Sequence, residues 1–303
     1  MKAYLGINTG FALNRFPQPE SWCRIIGEEL GLRRVQLTAD VFGAHHSEEL
    51  QEETLRRIQT EAERYGLWVH TTFTGAFTRV NHLMHPDEGV RLYWFEWLKR
   101  FFSASARLGA VGAGSHAGIL ASDDEGDEET RARRVADAAR LWQDLCDYAS
   151  GLGMEFLMFE PMSIPRELGE TIEKARGFRS LVQNGTALPF LYCLDVDHGD
   201  LASPDPRDTD PYAWLVELGA ASPVVHIKQS LLDKGGHHPF TSEYNRRGKI
   251  TPERVLDALE RSGAKEVTLL LEISHRERMP YDGMVLKDLK ESVEYWRPHV
   301  SAG

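Results

Sequence analysis

The sequence predicts an α/β fold, a parallel eight-stranded (β/α)8 TIM barrel with its active site at the C-terminal mouth. Three observations carry that prediction. Eight short apolar runs bounded by turn signals alternate with amphipathic helical stretches, which is the pattern of an all-parallel sheet with crossover helices. The length of 303 residues suits one such barrel, whose typical size is about 250 residues. Four of the later runs end in a residue able to bind a metal, spaced by roughly 30–45 residues, one strand-plus-helix unit each. No break in composition marks a second domain, so residues 1–303 are expected to form a single domain. A doubly wound open sheet is the alternative architecture.

The elements follow in order. Strands are expected at Tyr4–Asn8, Arg34–Thr38, Trp68–Thr72, Ala110–Ser115, Glu155–Glu160, Leu191–Asp195, Val224–Lys228 and Val267–Glu272. The helix expected over Glu48–Tyr65 has Leu50, Leu55, Ile58 and Ala62 spaced to bury one stripe, and that over Asp87–Leu108 carries Leu92, Phe95, Trp97 and Phe101. Glu129–Gly151 carries Val135, Ala138, Leu141, Trp142 and Leu145 and stops at the C-cap signal Gly151-Leu-Gly153. Thr251–Ser262 opens with an N-cap threonine and a proline at the first helical position. The acidic stretch Ser122–Glu129 lacks the spacing of a calcium loop and reads as a solvated turn. Gly109–Gly118 resembles a dinucleotide fingerprint only superficially, because its glycines fall inside a strand rather than at a strand-to-helix turn.

Composition narrows the function. A formal net charge of −11 argues against a nucleic-acid or anionic membrane surface. The cysteines Cys23, Cys146 and Cys193 are odd in number and far apart, so no disulfide framework or CxxC site is expected and a reducing compartment is favoured. No apolar stretch approaches the roughly 18 residues of a membrane helix. These features predict a cytoplasmic protein with a small-molecule partner, no nucleic acid and no membrane, and homo-oligomerisation is left open.

The four run-ending residues are Glu160, Asp195, His226 and Glu272. Each alone has an ordinary reading: Glu160 as a helix cap, His226 as a core histidine, Glu272 as a partner for Lys228. Asp197 shares a strand face with Asp195 and competes for its role. Their common position in successive units is what points to a shared partner, since an isolated charge at the end of a buried strand is costly. Three carboxylates and an imidazole suit one divalent cation such as Mn²⁺, Co²⁺ or Mg²⁺ better than a thiolate-bound structural zinc.

Asp195-Val-Asp-His198 and Val225-His226-Ile-Lys228-Gln229-Ser230 bring these residues to a family. The chain resembles the sugar-phosphate isomerase/epimerase superfamily with the xylose-isomerase-like barrel, nearest its tagatose/psicose 3-epimerase branch. That branch places Glu, Asp, His and Glu at the ends of strands five to eight and carries an Asp-x-x-His element on strand six. The resemblance assigns Asp195 to the metal and His198 to substrate. Lys228 stands where the family's His-x-His-x-Ser element has its second histidine, and the acidic-Asn-Asp-Arg stretch of the sugar epimerases is missing. Segment His237–Gly248 is most similar to the branch acting on erythrulose 1-phosphate in tetritol catabolism.

The implied reaction is 3-epimerisation of a ketose phosphate, best matched by interconversion of D- and L-erythrulose 1-phosphate through a cis-enediolate. A divalent cation would act on the ketone and adjacent hydroxyl as a Lewis acid, and Glu160 and Glu272 would exchange the carbon-bound proton from opposite faces. Lys228 shares the strand face of His226 and, with Lys234, Arg246 and the other basic residues up to Lys249, is expected to meet the phosphate. Asn8, His70 and His116 are candidate pocket residues at other strand ends. Competing functions are a free-ketose 3-epimerase, a hydroxypyruvate-type isomerase or an inosose dehydratase on the same scaffold. An endonuclease-IV-like nuclease and a non-catalytic sugar-binding barrel are competitors of different classes.

Overall fold

The computed structural model describes residues 1–43, 46–79, 81–233 and 235–301. Its strands are β1 (Lys2–Asn8), β2 (Arg34–Thr38), β3 (Trp68–Phe73), β4 (Gly112–His116), β5 (Phe156–Glu160), β6 (Phe190–Asp195), β7 (Val224–Ile227), β8 (Gln229–Leu231), β9 (Gly235–His238) and β10 (Glu266–Leu271). Eight of them close into a barrel in the order β1-β10-β7-β6-β5-β4-β3-β2. Each ladder is parallel, and β1 closes the seam on β10 with Lys2 opposite Glu266 and Ile7 opposite Leu271. The expected (β/α)8 barrel is therefore the observed one. Among the described residues, no helix is long and apolar enough to cross a membrane.

Two apolar layers form because side chains alternate along each strand. The larger layer lies between barrel and helices and includes Trp22, Trp97, Trp142 and Trp296, all nearly or fully buried. The smaller is built from strand residues alone: Phe73, Phe156, Met158, Cys193, Val224 and Leu270. Glycines make room for it. A Cβ on Gly114 would stand 2.6 Å from the Met158 carbonyl oxygen and 2.6 Å from the Phe73 ring. The glycine-rich run at β4 is thus explained by packing, as is usual where backbone and bulky side chains approach closely inside a sheet.

Helix boundaries follow their capping residues. Glu48–Tyr65 starts at Ser47, whose hydroxyl accepts from the Leu50 N–H, and ends at Gly66 in the left-handed region. Glu88–Arg107 and Glu128–Gly151 are capped by Asp87 and Asp127. The acidic stretch is not simply a turn. Ser122–Gly126 forms a short helix, and Asp124 pairs with Arg134 at 2.8 Å. The hairpin of β8 and β9 also departs from expectation, since the sequence suggested only an irregular basic loop there.

His70 is a clear correction. The register between β2 and β3 shifts at this point, with Val35 opposite Val69 but Gln36 opposite Thr71. The extra residue of this bulge is His70. Its ring packs on Trp68 with centroids 4.6 Å apart, while the Arg34 guanidinium lies 4.9 Å from the Trp68 ring and 3.8 Å from that of Tyr4. These are residues near the strands' N-terminal ends, so His70 sits at the barrel floor and not at the mouth.

Burial and the Arg34 charge push the His70 pKa from 6.5 down to about 4. The unfolded chain takes up a proton below about pH 6.5 that the folded chain refuses until near pH 4, so stability is full above this window and declines as pH falls through it. The whole shift corresponds to about 3 kcal/mol. Urea unfolding at pH 7 and pH 4.5 is expected to show a smaller acid loss in His70→Gln than in the wild type. Equal losses would remove His70 from the acid response.

Candidate metal centre and active site

The alternation that packs the barrel interior also sets the site. On β5, Phe156 and Met158 are inward apolar residues and Glu160 is the next on that face. Cys193 precedes Asp195 on β6 in the same way, Val224 precedes His226 on β7, and Leu270 precedes Glu272 just beyond β10. The Glu272 N–H donates to the Ile227 carbonyl at 3.0 Å, which extends the β7–β10 register to the ligand. One donor atom from each of Glu160, Asp195, His226 and Glu272 lies within 4.8 Å of the others. Among the described residues no other group of three or more acidic, histidine or cysteine residues could hold an ion in this way.

The imidazole is oriented by a residue that the sequence reading overlooked. His226 Nε2 donates to Gln36 Oε1 at 2.7 Å, and the same oxygen accepts from Asn8 Nδ2 at 2.9 Å. Gln36 Nε2 in turn donates to Thr71 Oγ1 at 3.3 Å. This leaves His226 Nδ1 facing the carboxylates, 3.2 Å from Glu160 Oε1 and 3.4 Å from Glu272 Oε1. An imidazole locked through its outer nitrogen is the usual arrangement of a metal-binding histidine. A glutamine midway along the apolar run Arg34-Val-Gln-Leu-Thr38 was the available signal.

Lys228 is fully buried. Its ammonium pairs with Asp195 Oδ2, lies 3.5 Å from Glu272 Oε2 and donates to His237 Nε2 at 2.9 Å. The cluster of three carboxylates thus holds one permanent ammonium, which contacts two of them. The remaining negative charge and the tight donor set fit a divalent cation, which Glu160, Asp195, His226 and Glu272 would hold.

The pKa shifts reflect this balance. Burial would raise the Glu160 pKa, yet the charge of His226 and hydrogen bonds from His116 and His226 hold it well below the ordinary carboxylate range. Burial opposes ionisation of Asp195 as well, but His198 and Lys228 keep its pKa low. For His226, burial is outweighed by the Glu272 and Glu160 carboxylates, and its pKa stands well above 6.5. Burial pushes the Cys193 thiol up to about 11, so it remains protonated.

A cavity of about 380 Å³ opens over this cluster. Glu160 and Glu272 line it, together with Asn8, His116, His198 and His237, whereas Asp195 and His226 do not. Each glutamate turns one oxygen toward His226 and has different neighbours at the other. Glu160 Oε2 is 3.2 Å from His116 Nε2, and Glu272 Oε2 is 3.6 Å from His237 Nδ1. His198 Nδ1 donates to the Pro161 carbonyl at 3.0 Å, which fixes its ring at the cavity wall.

Asn8, His116, His198, Glu160 and Glu272 therefore come together at the mouth, and His70 does not. Lys228 does not reach the cavity because its charge is taken up by Asp195 below the surface. Arg246 is exposed at the end of the short helix Ser242–Asn245 and does not line the cavity. Its neighbours Arg247 and Lys249 pair with Asp233 and Asp197. Lys234 lies outside the described residues. Asp197 also accepts from Ser230 Oγ and from the Gly236 N–H, so it anchors the β8–β9 hairpin, while Asp195 joins the cluster.

With this geometry in view, comparison with known proteins is decisive for the family. Residues 26–299 match the xylose isomerase-like TIM barrel family. The chain belongs to that family. It is 37% identical over 308 residues to D-erythrulose 1-phosphate 3-epimerase of Brucella abortus (strain 2308), covering 100% of this chain and 98% of the relative. A putative xylose isomerase from Rhodospirillum rubrum superposes with a TM-score of 0.88 at 22% identity, over 99% of this chain and 100% of the other. D-psicose 3-epimerase from Clostridium cellulolyticum gives 0.70 at 12% identity, again over 99% and 100%.

Asp195→Asn is expected to abolish stoichiometric Mn²⁺ binding, whereas Asp197→Asn retains it. Gln36→Leu should weaken affinity by about 10–100-fold, through loss of the imidazole's support. Because His226 is held protonated well above pH 6.5, uptake of the ion should release about one proton and affinity should rise with pH. Calorimetry in two buffers of different ionisation enthalpy reads this release. Buffer-independent heats would contradict the assignment of His226.

Proposed function

We propose that this chain is a metal-dependent ketose-phosphate 3-epimerase, with erythrulose 1-phosphate or a closely related ketose phosphate as substrate. The observation that carries the reading is the division within the cluster. Two glutamates reach the cavity, while the aspartate and histidine lie beneath it. The full-length similarity to D-erythrulose 1-phosphate 3-epimerase supports the choice of substrate class.

A bound divalent ion, with Mn²⁺, Co²⁺ and Mg²⁺ the candidates, would supply Lewis-acid polarisation of the ketone and its neighbouring hydroxyl. The proton transfers belong to the protein. Glu160 and Glu272 are presented from β5 and from the end of β10, strands that are not neighbours in the barrel, so a substrate between them meets a carboxylate on each face. One accepts the proton from C3 and the other returns a proton to the opposite face, which inverts the centre. The starting epimer decides which acts first.

The surrounding residues tune this pair. His116 Nε2 at Glu160 Oε2 stabilises the anionic carboxylate needed for acceptance. Lys228 and His237 play the corresponding part at Glu272. Asn8 and His198, both at the cavity wall and both tethered to neighbouring groups, are placed to bind substrate hydroxyls. Glu160 and Glu272 would thus serve as both metal ligands and proton carriers.

Glu160→Gln and Glu272→Gln should each reduce epimerisation by about 10²–10⁴-fold or more, since an amide cannot accept the carbon-bound proton. Solvent-deuterium incorporation at C3 during turnover of erythrulose 1-phosphate would verify the chemistry. A Mn²⁺-loaded glutamine variant with near-wild-type turnover would take that glutamate out of the reaction. Faster turnover of free tagatose, psicose or erythrulose than of every phosphate ester would move the protein to the free-ketose epimerases.

A further inference from the structure

Among the described residues, Lys228 and Arg246, expected to meet the phosphate, do not line the cavity, which turns attention to the cations that do. We infer that Arg15 is the phosphate anchor and the residue that sets preference for phosphorylated over free ketose. The inference rests on the ketose-phosphate reading above.

Among the described residues, Arg15 and Arg79 are the lysines or arginines of the cavity wall. Their circumstances differ. Arg79 Nη2 donates to both carboxylate oxygens of Glu167, at 2.9 and 2.8 Å, and that glutamate side chain is only 12% exposed. This pair neutralises itself while tying the segment after β3 to the one after β5.

Arg15 is held differently. Its side chain is 12% exposed, with Nε donating to Asp282 Oδ1 at 2.5 Å and Nη2 to the His275 carbonyl at 2.8 Å. A guanidinium carries five N–H donors, so further donors remain, including those of Nη1. Asp282 is 38% exposed, and water screens its charge more than that of a buried carboxylate. The guanidinium is consequently oriented in advance and keeps much of its positive field, the condition for strong recognition of an anion.

The neighbouring wall has the same character. Ser274 lines the cavity, and its hydroxyl makes no hydrogen bond to a described residue. Arg276 and Arg278, on the exposed loop just beyond the cavity lining and on either side of Glu277, form no ion pair with a described residue. The floor is opposite in sign, because Glu160 and Glu272 would repel a phosphate dianion. A 1-phosphate is separated by a few bonds from C3, so C3 can lie between the glutamates while the phosphate turns to Arg15 and Ser274.

The test compares kcat/KM for erythrulose 1-phosphate with that for free erythrulose, in Mn²⁺-loaded wild type and in Arg15→Gln, Arg15→Lys and Arg79→Gln. Loss of two charge-assisted hydrogen bonds should lower the phosphate-to-free ratio by roughly 100-fold in Arg15→Gln. Competitive inhibition by inorganic phosphate should weaken in parallel. Arg15→Lys keeps the charge but loses the fork, and a drop of about tenfold in the ratio is expected. It serves as the readout if Arg15→Gln does not fold.

A purely structural role would lower both activities together and leave the ratio intact, which would overturn the inference. A ratio that falls in Arg79→Gln but not in the Arg15 variants would also overturn it. If the wild type itself prefers free erythrulose, the ketose-phosphate reading fails. If it prefers the phosphate and the Arg15 variants keep that preference, the function stands and only the Arg15 assignment is lost.

Discussion

Three carboxylates within a few ångströms of one another at the end of a closed barrel repel strongly unless positive charge is built in among them. Lys228 supplies the permanent part of that charge. It is fully buried and bound to Asp195, with Glu272 and His237 beside it. One ammonium does not balance three carboxylates, and the remainder sets the demand for a dication and for a raised His226 pKa. Removing one member of such a buried charged set usually costs several kcal/mol, because its partners are left uncompensated. Ligand geometry, the protonation of His226 and the position of the cavity above the cluster all follow from this compensation.

The barrel supplies the rigidity that compensation alone cannot. Each candidate ligand continues an inward-facing series whose lower members are apolar, such as Phe156 and Met158 below Glu160. A ligand can shift only if its strand shifts, and its strand is paired on both sides. Gln36 extends the same logic to the imidazole ring, fixing through one oxygen both His226 and Asn8. The candidate ligand His226 and the cavity wall are therefore coupled by a single amide.

Much of this was legible in the residues because strand ends repeat at regular intervals and ligand types stand out against apolar runs. The eight strands fall within a residue or two of their expected places, and the four metal-site candidates converge. What was not legible depended on pairing between distant strands. The bulge that removes His70 from the mouth is a register event between β2 and β3. Gln36 stands out as a polar residue in an apolar run, but its role emerges only when the closed barrel brings His226 against it. Lys228 was expected to meet a phosphate, and its actual partner Asp195 comes from the adjacent strand. Arg15 carries no local motif, and its orientation depends on the far end of the chain through Asp282 and His275.

The seam between β1 and β10 has a consequence for how the protein is made. Residues Lys2 to Ile7 pair with Glu266 to Leu271, so β1, made before the other barrel strands, waits for β10, the last of them, before its outer edge is covered. Glu272 lies just beyond that last strand. During synthesis the nascent chain can assemble β5, β6 and β7 with three of the four candidate ligands, but the fourth, Glu272, emerges only after β10. Until then, the exposed edge of β1 and an incomplete acidic cluster coexist on one chain, a period in which edge protection must come from outside the finished barrel. Completion of the candidate ion site and closure of the wall thus both wait for the same stretch of chain.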